Sequence, residues 1–286
     1  IPEWELELAN GTDRGYYGPG SAVWAVHGSM TTIIAGIRAL LLQALHPGAM
    51  AGVRDYSNYK EDPLGRLAGT IRWIFTVTYG DTTAARSASN WVLRLHERVQ
   101  GTYEYASGTA RPFSANAPEL ARWVHLAFTD AFLASHIEFG GPIPGGPDQY
   151  VAEWATAGEL MQINNPPRDL AGLRKQMAAF DPELRSSPTV EEVVRFLRRP
   201  PLPRNQMIGY RVLFAGAVAS LEPRHREMLG LREPHLGPFK LLVHGPVKLV
   251  LRVIRFGLGD MGPSERSARE RIARLARESD EDRRPA

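Results

Sequence analysis

Met30 to Leu45 (MTTIIAGIRALLLQAL) is apolar nearly all round when wound as a helix. Such a helix has no face for water and must be enclosed by other elements. It is not a membrane span, because the longest apolar run, Ile33 to Leu45, contains Arg38 and falls short of the roughly 20 residues a bilayer needs. The rest of the chain therefore has to wrap it. That chain shows helical periods throughout and almost no strand alternation. With 286 residues, 43% of them hydrophobic, it is long enough to build one large core. The expected fold is all-α, a single domain over residues 1–286 of roughly eight to ten helices, with an extended lead-in at 1–20 and a flexible tail at 278–286.

Local signals place the elements. A short helix is expected over Ala22 to His27, and the apolar helix ends or kinks at His46–Pro47, because proline disfavours helical geometry in the residue before it. It resumes over Gly48 to Val53. Asp62–Pro63 reads as an N-cap with proline at the first helical position, opening a helix to about Thr78. Gly80–Asp81 ends it and caps the next, about Thr82 to Gln100. Gly101 to Phe113 reads as a loop, and Pro118 to Phe139 as a helix. Further helices are expected at about Asp148–Leu160, Asp169–Phe180, Pro188–Arg199, Arg204–Ser220, His225–Leu229 and Ser264–Arg277. Phe239 to Leu258 is a long amphipathic pattern in which Lys240, Lys248, Arg252 and Arg255 interrupt leucines and valines. Its plain reading is a packed helix with a solvated basic face; its second reading is a weak membrane-surface contact.

Composition removes whole classes of chemistry. The chain has no cysteine, so disulfides, iron–sulfur clusters, thiolate-ligated haem, Cys-based zinc sites and Cys nucleophiles are excluded. Any metal must use His or oxygen ligands. The net charge of +3 comes from a small Arg excess, and no nucleic-acid-binding spacing is present, so no nucleic-acid partner is expected. The opening IPEWELELANG is acidic and polar, unlike a signal peptide, and the expected location is cytoplasmic. Gly-x-Ser-x-Gly, HExxH, phosphate-loop and dinucleotide-fold fingerprints are all missing. The Glu-x-x-His repeats of a di-iron bundle are missing too.

Five residues remain as candidates. His96 sits in NWVLRLHERVQG (Asn90 to Gly101), sharing a helix face with Val92 and Val99. A neutral imidazole in that setting suits haem iron, or serves as a hydrogen-bonded core residue. Arg66 and Thr70 lie four apart on a face continued by Trp73 and Val77. They can bind a carboxylate, a haem propionate or an oxygen species, or form a salt bridge and a backbone hydrogen bond. His46 stands at the kink, as a pocket acid or base or as a partner of a freed carbonyl. His125 follows an Ala121, His125, Phe128, Phe132 stripe and points inward, whereas His136 is expected to face solvent. A haem pocket and a purely organic-ligand pocket both fit these residues.

Four segments together resemble the MpaB-like oxygenase family, which includes the bacterial latex-clearing proteins with b-type haem. They are RALLLQALHPGAMAGV (Arg38 to Val53), DPLGRLAGTIRWIFTVTYGD (Asp62 to Asp81), LRLHERVQGT (Leu93 to Thr102) and WVHLAFTDAFL (Trp123 to Leu133). The resemblance spans roughly residues 15 to 275 and implies a globin-like helical core around haem b, with His96 as proximal iron ligand. The distal Arg-x-x-Lys-Thr of the latex-clearing branch matches Arg66 and Thr70, with Gly69 in place of the lysine. That change implies an open or water-filled distal position. The branch's catalytic glutamate has no counterpart; Met50 and its neighbours stand in that region, which leaves His46 or His125 as the candidate base. The resemblance thus implies a haem b-dependent oxidoreductase using dioxygen or peroxide on an apolar substrate, an isoprenoid or a secondary metabolite. Two alternatives stand beside it: a haem-free small-molecule or lipid-binding protein, and a haem sensor or store without turnover.

Overall fold

Side-chain acceptors open the helices where the sequence puts short polar residues. Ser21, Asp81, Asp169 and Ser187 each accept the backbone N–H three residues on, at 3.2, 2.8, 2.6 and 3.2 Å. A histidine does the same before Pro47: Nδ1 of His46 accepts from the N–H of Gly48 at 3.1 Å and lies 3.4 Å from that of Ala49. The computed structural model describes the backbone of residues 1–56, 63–104, 108–236, 239–240, 242–281, and their side chains outside 53–67 and 236–240.

In order, the chain forms α1 (Glu3–Glu7), α2 (Ala22–His27), α3 (Thr32–Ala44), α4 (Pro47–Tyr56), α5 (Pro63–Tyr79), α6 (Thr82–His96) and a hairpin of β1 (Gln100–Glu104) and β2 (Ala110–Ser114). Then come α7 (Pro118–Phe139), α8 (Gly146–Leu160), α9 (Leu170–Ala179), α10 (Pro188–Arg198), α11 (Arg204–Ser220) and α12 (Pro223–Met228). The paired dipeptides β3 (His235–Leu236) and β4 (Phe239–Lys240) precede α13 (His244–Leu258) and α14 (Pro263–Glu281). The fold is all-α in one domain. Fourteen α-helices stand among the described residues, more than expected, because short helices such as α1 and α12 add to the long ones.

The apolar helix is central, as its lack of a polar face requires. α3 lies along α7 and is flanked by α4, α10 and α11. Ile34, Leu41 and Leu42 are fully enclosed, and Trp123 and Leu126 of α7 sit in the same core. Arg38 is enclosed as well, at 2% exposure. Its guanidinium donates to Asp130 of α7 at 2.6 Å and to the backbone carbonyl and hydroxyl of Ser220 on α11. One buried cation thus ties three helices together.

Three expectations change. The lead-in is not wholly extended, because α1 and a 3-10 turn at Leu8–Asn10 form within it. Both are held from far along the chain: Arg271 donates to the carbonyls of Leu8 and Tyr79, Arg274 to that of Gly11, and the Ser264 hydroxyl to Glu5. Within the expected loop, residues 101–104 and 110–113 belong to two antiparallel strands; their register pairs Gln100 with Ser114 and Tyr103 with Arg111. Phe113 anchors them on Ala51 of α4 and Leu120 of α7. Finally, α14 continues to Glu281, through part of the expected tail.

Candidate active site

α5 and α6 form an antiparallel pair joined at Gly80–Asp81. Its closed end is enclosed, with Val77, Tyr79 and Ala85 all buried. A cross-helix hydrogen bond from Trp73 Nε1 to the Ser89 hydroxyl, 3.1 Å, fixes its register. One turn beyond that bond brings Thr70 level with Val92 and Leu93. Two turns bring the backbone position of Arg66 level with His96. Thr70, Trp73 and Val77 follow one face of α5; Ala85, Ser89, Val92 and His96 follow one face of α6. The side chain of Arg66 lies outside the described residues.

Burial falls away toward that open end. Thr70 and His96 are half-buried, while Ile71, Trp91 and Leu95 are 39%, 56% and 49% exposed. Among the described residues nothing lies within 4 Å of the place a side chain would occupy at the exposed Gly69. His96 is the last residue of α6, so it is less enclosed than a mid-helix residue on an apolar face would be. Three residues on, Val99 packs on the cluster of Ala51, Phe113 and Leu120.

The other two histidines sit elsewhere. His125 of α7 faces α8, where the absence of a side chain at Gly158 leaves room for its ring; an added Cβ there would lie 3.0 Å from Nε2. That Nε2 is buried with no hydrogen-bond partner among the described residues. One turn along α8 from Gly158, Trp154 meets Trp73 with ring centroids 6.2 Å apart, so α8 links His125 to the α5–α6 pair. His46 is more distant in kind. It lies at the α3–α4 junction among Tyr103, Trp123 and Phe180, and its capping Nδ1 is an acceptor. The proton is therefore assigned to Nε2, which lies 3.3 Å from the Glu183 carboxylate without hydrogen-bond geometry.

Three more histidines are enclosed: His27 and His225, which the sequence did not single out, and His136, which it placed in solvent. His27 lies between the Thr78 hydroxyl at 2.8 Å and the Tyr150 hydroxyl at 3.0 Å; since Thr78 donates to the Ile74 carbonyl, the His27 proton is assigned to Nδ1. His136, expected in solvent, is buried. Its Nδ1 lies 3.4 Å from the Thr31 hydroxyl at the start of α3, and its ring lies against Gly140 at the end of its own helix. His225 is enclosed with neither ring nitrogen hydrogen-bonded among the described residues.

Burial disfavours the charged ring in all of these. It pushes His27 down to about 3, and His46, His125 and His225 to about 4. The four are neutral at pH 7 and poor proton acceptors there. The unfolded chain takes up protons below its ordinary histidine value of about 6.5, whereas the folded chain does so only near 3 to 4. Stability is therefore full above pH 7 and lost as pH falls from about 6.5 to 4, by up to about 1.4 kcal/mol per unit for each histidine. The urea midpoint followed from pH 8 to 4 should drop steeply below 6.5; a flat profile to pH 5 would contradict this burial.

The open end of the α5–α6 pair fits a haem better than a chelated ion. Among the described residues no group of three His, Asp or Glu side chains could hold a bare metal. A haem would need only one imidazole from the protein; His96 is the candidate for it, near the exposed apolar Trp91 and Leu95.

A family model described as "ER-bound oxygenase mpaB/B'/Rubber oxygenase, catalytic domain" matches residues 24–256. Neither the curated proteins nor the solved structures contain a match to this chain.

Proposed function

This chain belongs to the mpaB/rubber-oxygenase catalytic-domain family, and from that premise we propose that it is a haem b-dependent oxygenase of an apolar substrate, an isoprenoid or an apolar secondary metabolite. The observation that carries the reading is the Trp73–Ser89 bond between α5 and α6; helix geometry counted from it supports a level for Thr70 and Arg66 near Val92 and His96. Haem b, when bound, supplies the iron at which dioxygen or peroxide is used. His96 holds it through a ring nitrogen, and a partner at the other nitrogen sets the tautomer. The Thr70 hydroxyl and the Arg66 guanidinium are the polar groups on the facing helix. They stabilise negative charge that develops on oxygen, through charge-assisted hydrogen bonds. Ile71, Trp91 and Leu95 offer the apolar surface that excludes water and receives substrate.

Gly69 carries no amine, so no side chain at that position would compete with a reactant for the haem iron. His46 is engaged as a helix cap, which leaves His125 the better placed of the two histidines to take a proton, at Nε2. Its depressed basicity means that proton has to come from a strong donor or from a group that shares its burial.

The test is oxygen uptake by the haem-loaded protein with apolar alkenes, polyisoprenoids included. Uptake should require substrate and fall about 10²-fold in Thr70→Val, with haem content unchanged. Haem-loaded protein that consumes no oxygen with any alkene or terpenoid would contradict the oxygenase reading and favour a haem store or sensor.

A further inference from the structure

α13 is amphipathic in an unusual sense, because its outer face is apolar too. Val247 and Leu251 are buried on the inner side, where Gly216 of α11 has no side chain and Val247 takes the space, and α7 lies alongside. On the far side, Leu249, Val253 and Phe256 share one ridge and are 59%, 63% and 93% exposed. Leu242, just before the helix, and Ile208 on α11 add two more exposed apolar side chains. Gly209, next to Ile208, faces Val250, which brings this part of α11 beside α13. Lys248, Arg252 and Arg255 flank the ridge on one side. Residues 239–258 contain no Asp or Glu, and the Arg255 guanidinium meets an acid only past the helix end, Asp260 at 2.6 Å.

We propose that this face seats the protein on an anionic lipid surface, with α13 lying in the plane of the membrane. Five exposed large apolar side chains in one region cost solubility that a water-facing helix has no reason to bear. The flanking cations select the occupant. A second copy docked by the same face would bring Lys248 and Arg252 against their own kind, with no acid in the helix to answer them. Anionic headgroups answer them directly, while Phe256, Leu249 and Val253 enter the acyl boundary. The attachment is peripheral, since no described helix is long and apolar enough to cross a bilayer. It goes beyond the oxygenase reading and needs neither haem nor turnover.

Flotation of the purified full chain with vesicles is the test. The protein should float with phosphatidylcholine vesicles containing phosphatidylglycerol and not with phosphatidylcholine alone, and about 0.5 M salt should release it. Lys248→Glu with Arg252→Glu should weaken binding by at least about tenfold. Leu249→Ser with Phe256→Ser should do the same at unchanged circular dichroism, since Leu249, Arg252 and Phe256 are exposed and Lys248 is only half-buried. No flotation with anionic vesicles, equal flotation of the variants, or a dimer that Leu249→Ser/Phe256→Ser dissolves without any vesicle binding would each overturn the proposal. Flotation is read without substrate, so its failure would leave the oxygenase reading standing, and the converse holds.

Discussion

His96→Ala should yield a folded protein that no longer retains haem. A b-type haem has no covalent tether, and a chain without cysteine cannot make a thioether or thiolate one, so retention rests on axial ligation and apolar contact. Removing the one proposed imidazole should lower haem occupancy by at least about tenfold, in line with the losses seen when even the outer partners of metal ligands are removed. The fold should survive, because the residue is half-buried at the last position of α6 and alanine is a better helix former than histidine. Circular dichroism and the pyridine haemochrome assay, run on one preparation, separate the outcomes. Unchanged helicity with lost haem is expected, and added imidazole should restore part of the absorbance. A variant that keeps its full haem complement would remove His96 from the role.

Asp130→Ala should cost about 3 to 5 kcal/mol of stability without touching the site. Arg38 is fully enclosed, and Asp130 is the carboxylate that balances its charge, at 2.6 Å. Truncating the acid leaves an ion in the middle of three packed helices with only the Ser220 carbonyl and hydroxyl for support. The double variant Arg38→Met/Asp130→Leu should recover much of the loss, because apolar side chains of similar volume replace a desolvated pair at little net cost. Urea unfolding measures both. A loss under about 1 kcal/mol for Asp130→Ala would mean that water reaches Arg38 and that α3 is less central than described.

Most of the helical layout was legible because it depends on local signals. Pro118 to Phe139 begins at a proline and ends before Gly140, and the structure gives the same limits. The start at Asp81 and the stop at Ser220 follow likewise from a cap and from a break in period. What could not be read locally was what one segment does to another. QGTYE and ARPFS have little strand character of their own and pair because α4 and α7 present Ala51 and Leu120 to Phe113. His136 looked solvent-facing on its helix wheel; Thr31, over a hundred residues earlier, lies against its ring. α1 and the 3-10 turn after it are held by Ser264, Arg271 and Arg274 at the other end of the chain.

Arg38 carried a signal that was available and used only in part. An arginine in a helix apolar all round excludes a membrane span, but it also demands a buried acid, and Asp130 is the acid at mid-length of α7. The site was half legible. Residue type and helix face offered His96, Thr70 and Arg66 as candidates, and the family resemblance joined them into one proposed site. Spacing could not give the Trp73–Ser89 bond that sets the level of one helix on the other. Nor could it separate His46, a helix cap, from His125, whose Nε2 has no partner among the described residues.

The central claim, that this family member uses haem, is tested most directly by the absorption spectrum of the protein purified after growth with a haem precursor, recorded oxidised, reduced with dithionite, and reduced under carbon monoxide. The account predicts a Soret band that shifts when carbon monoxide is added, because His96 would hold the haem and Gly69 carries no side chain to compete with the added gas. A protein with no Soret band under these conditions would contradict it, making His96 a structural residue and the open end of the α5–α6 pair a pocket for an organic ligand alone.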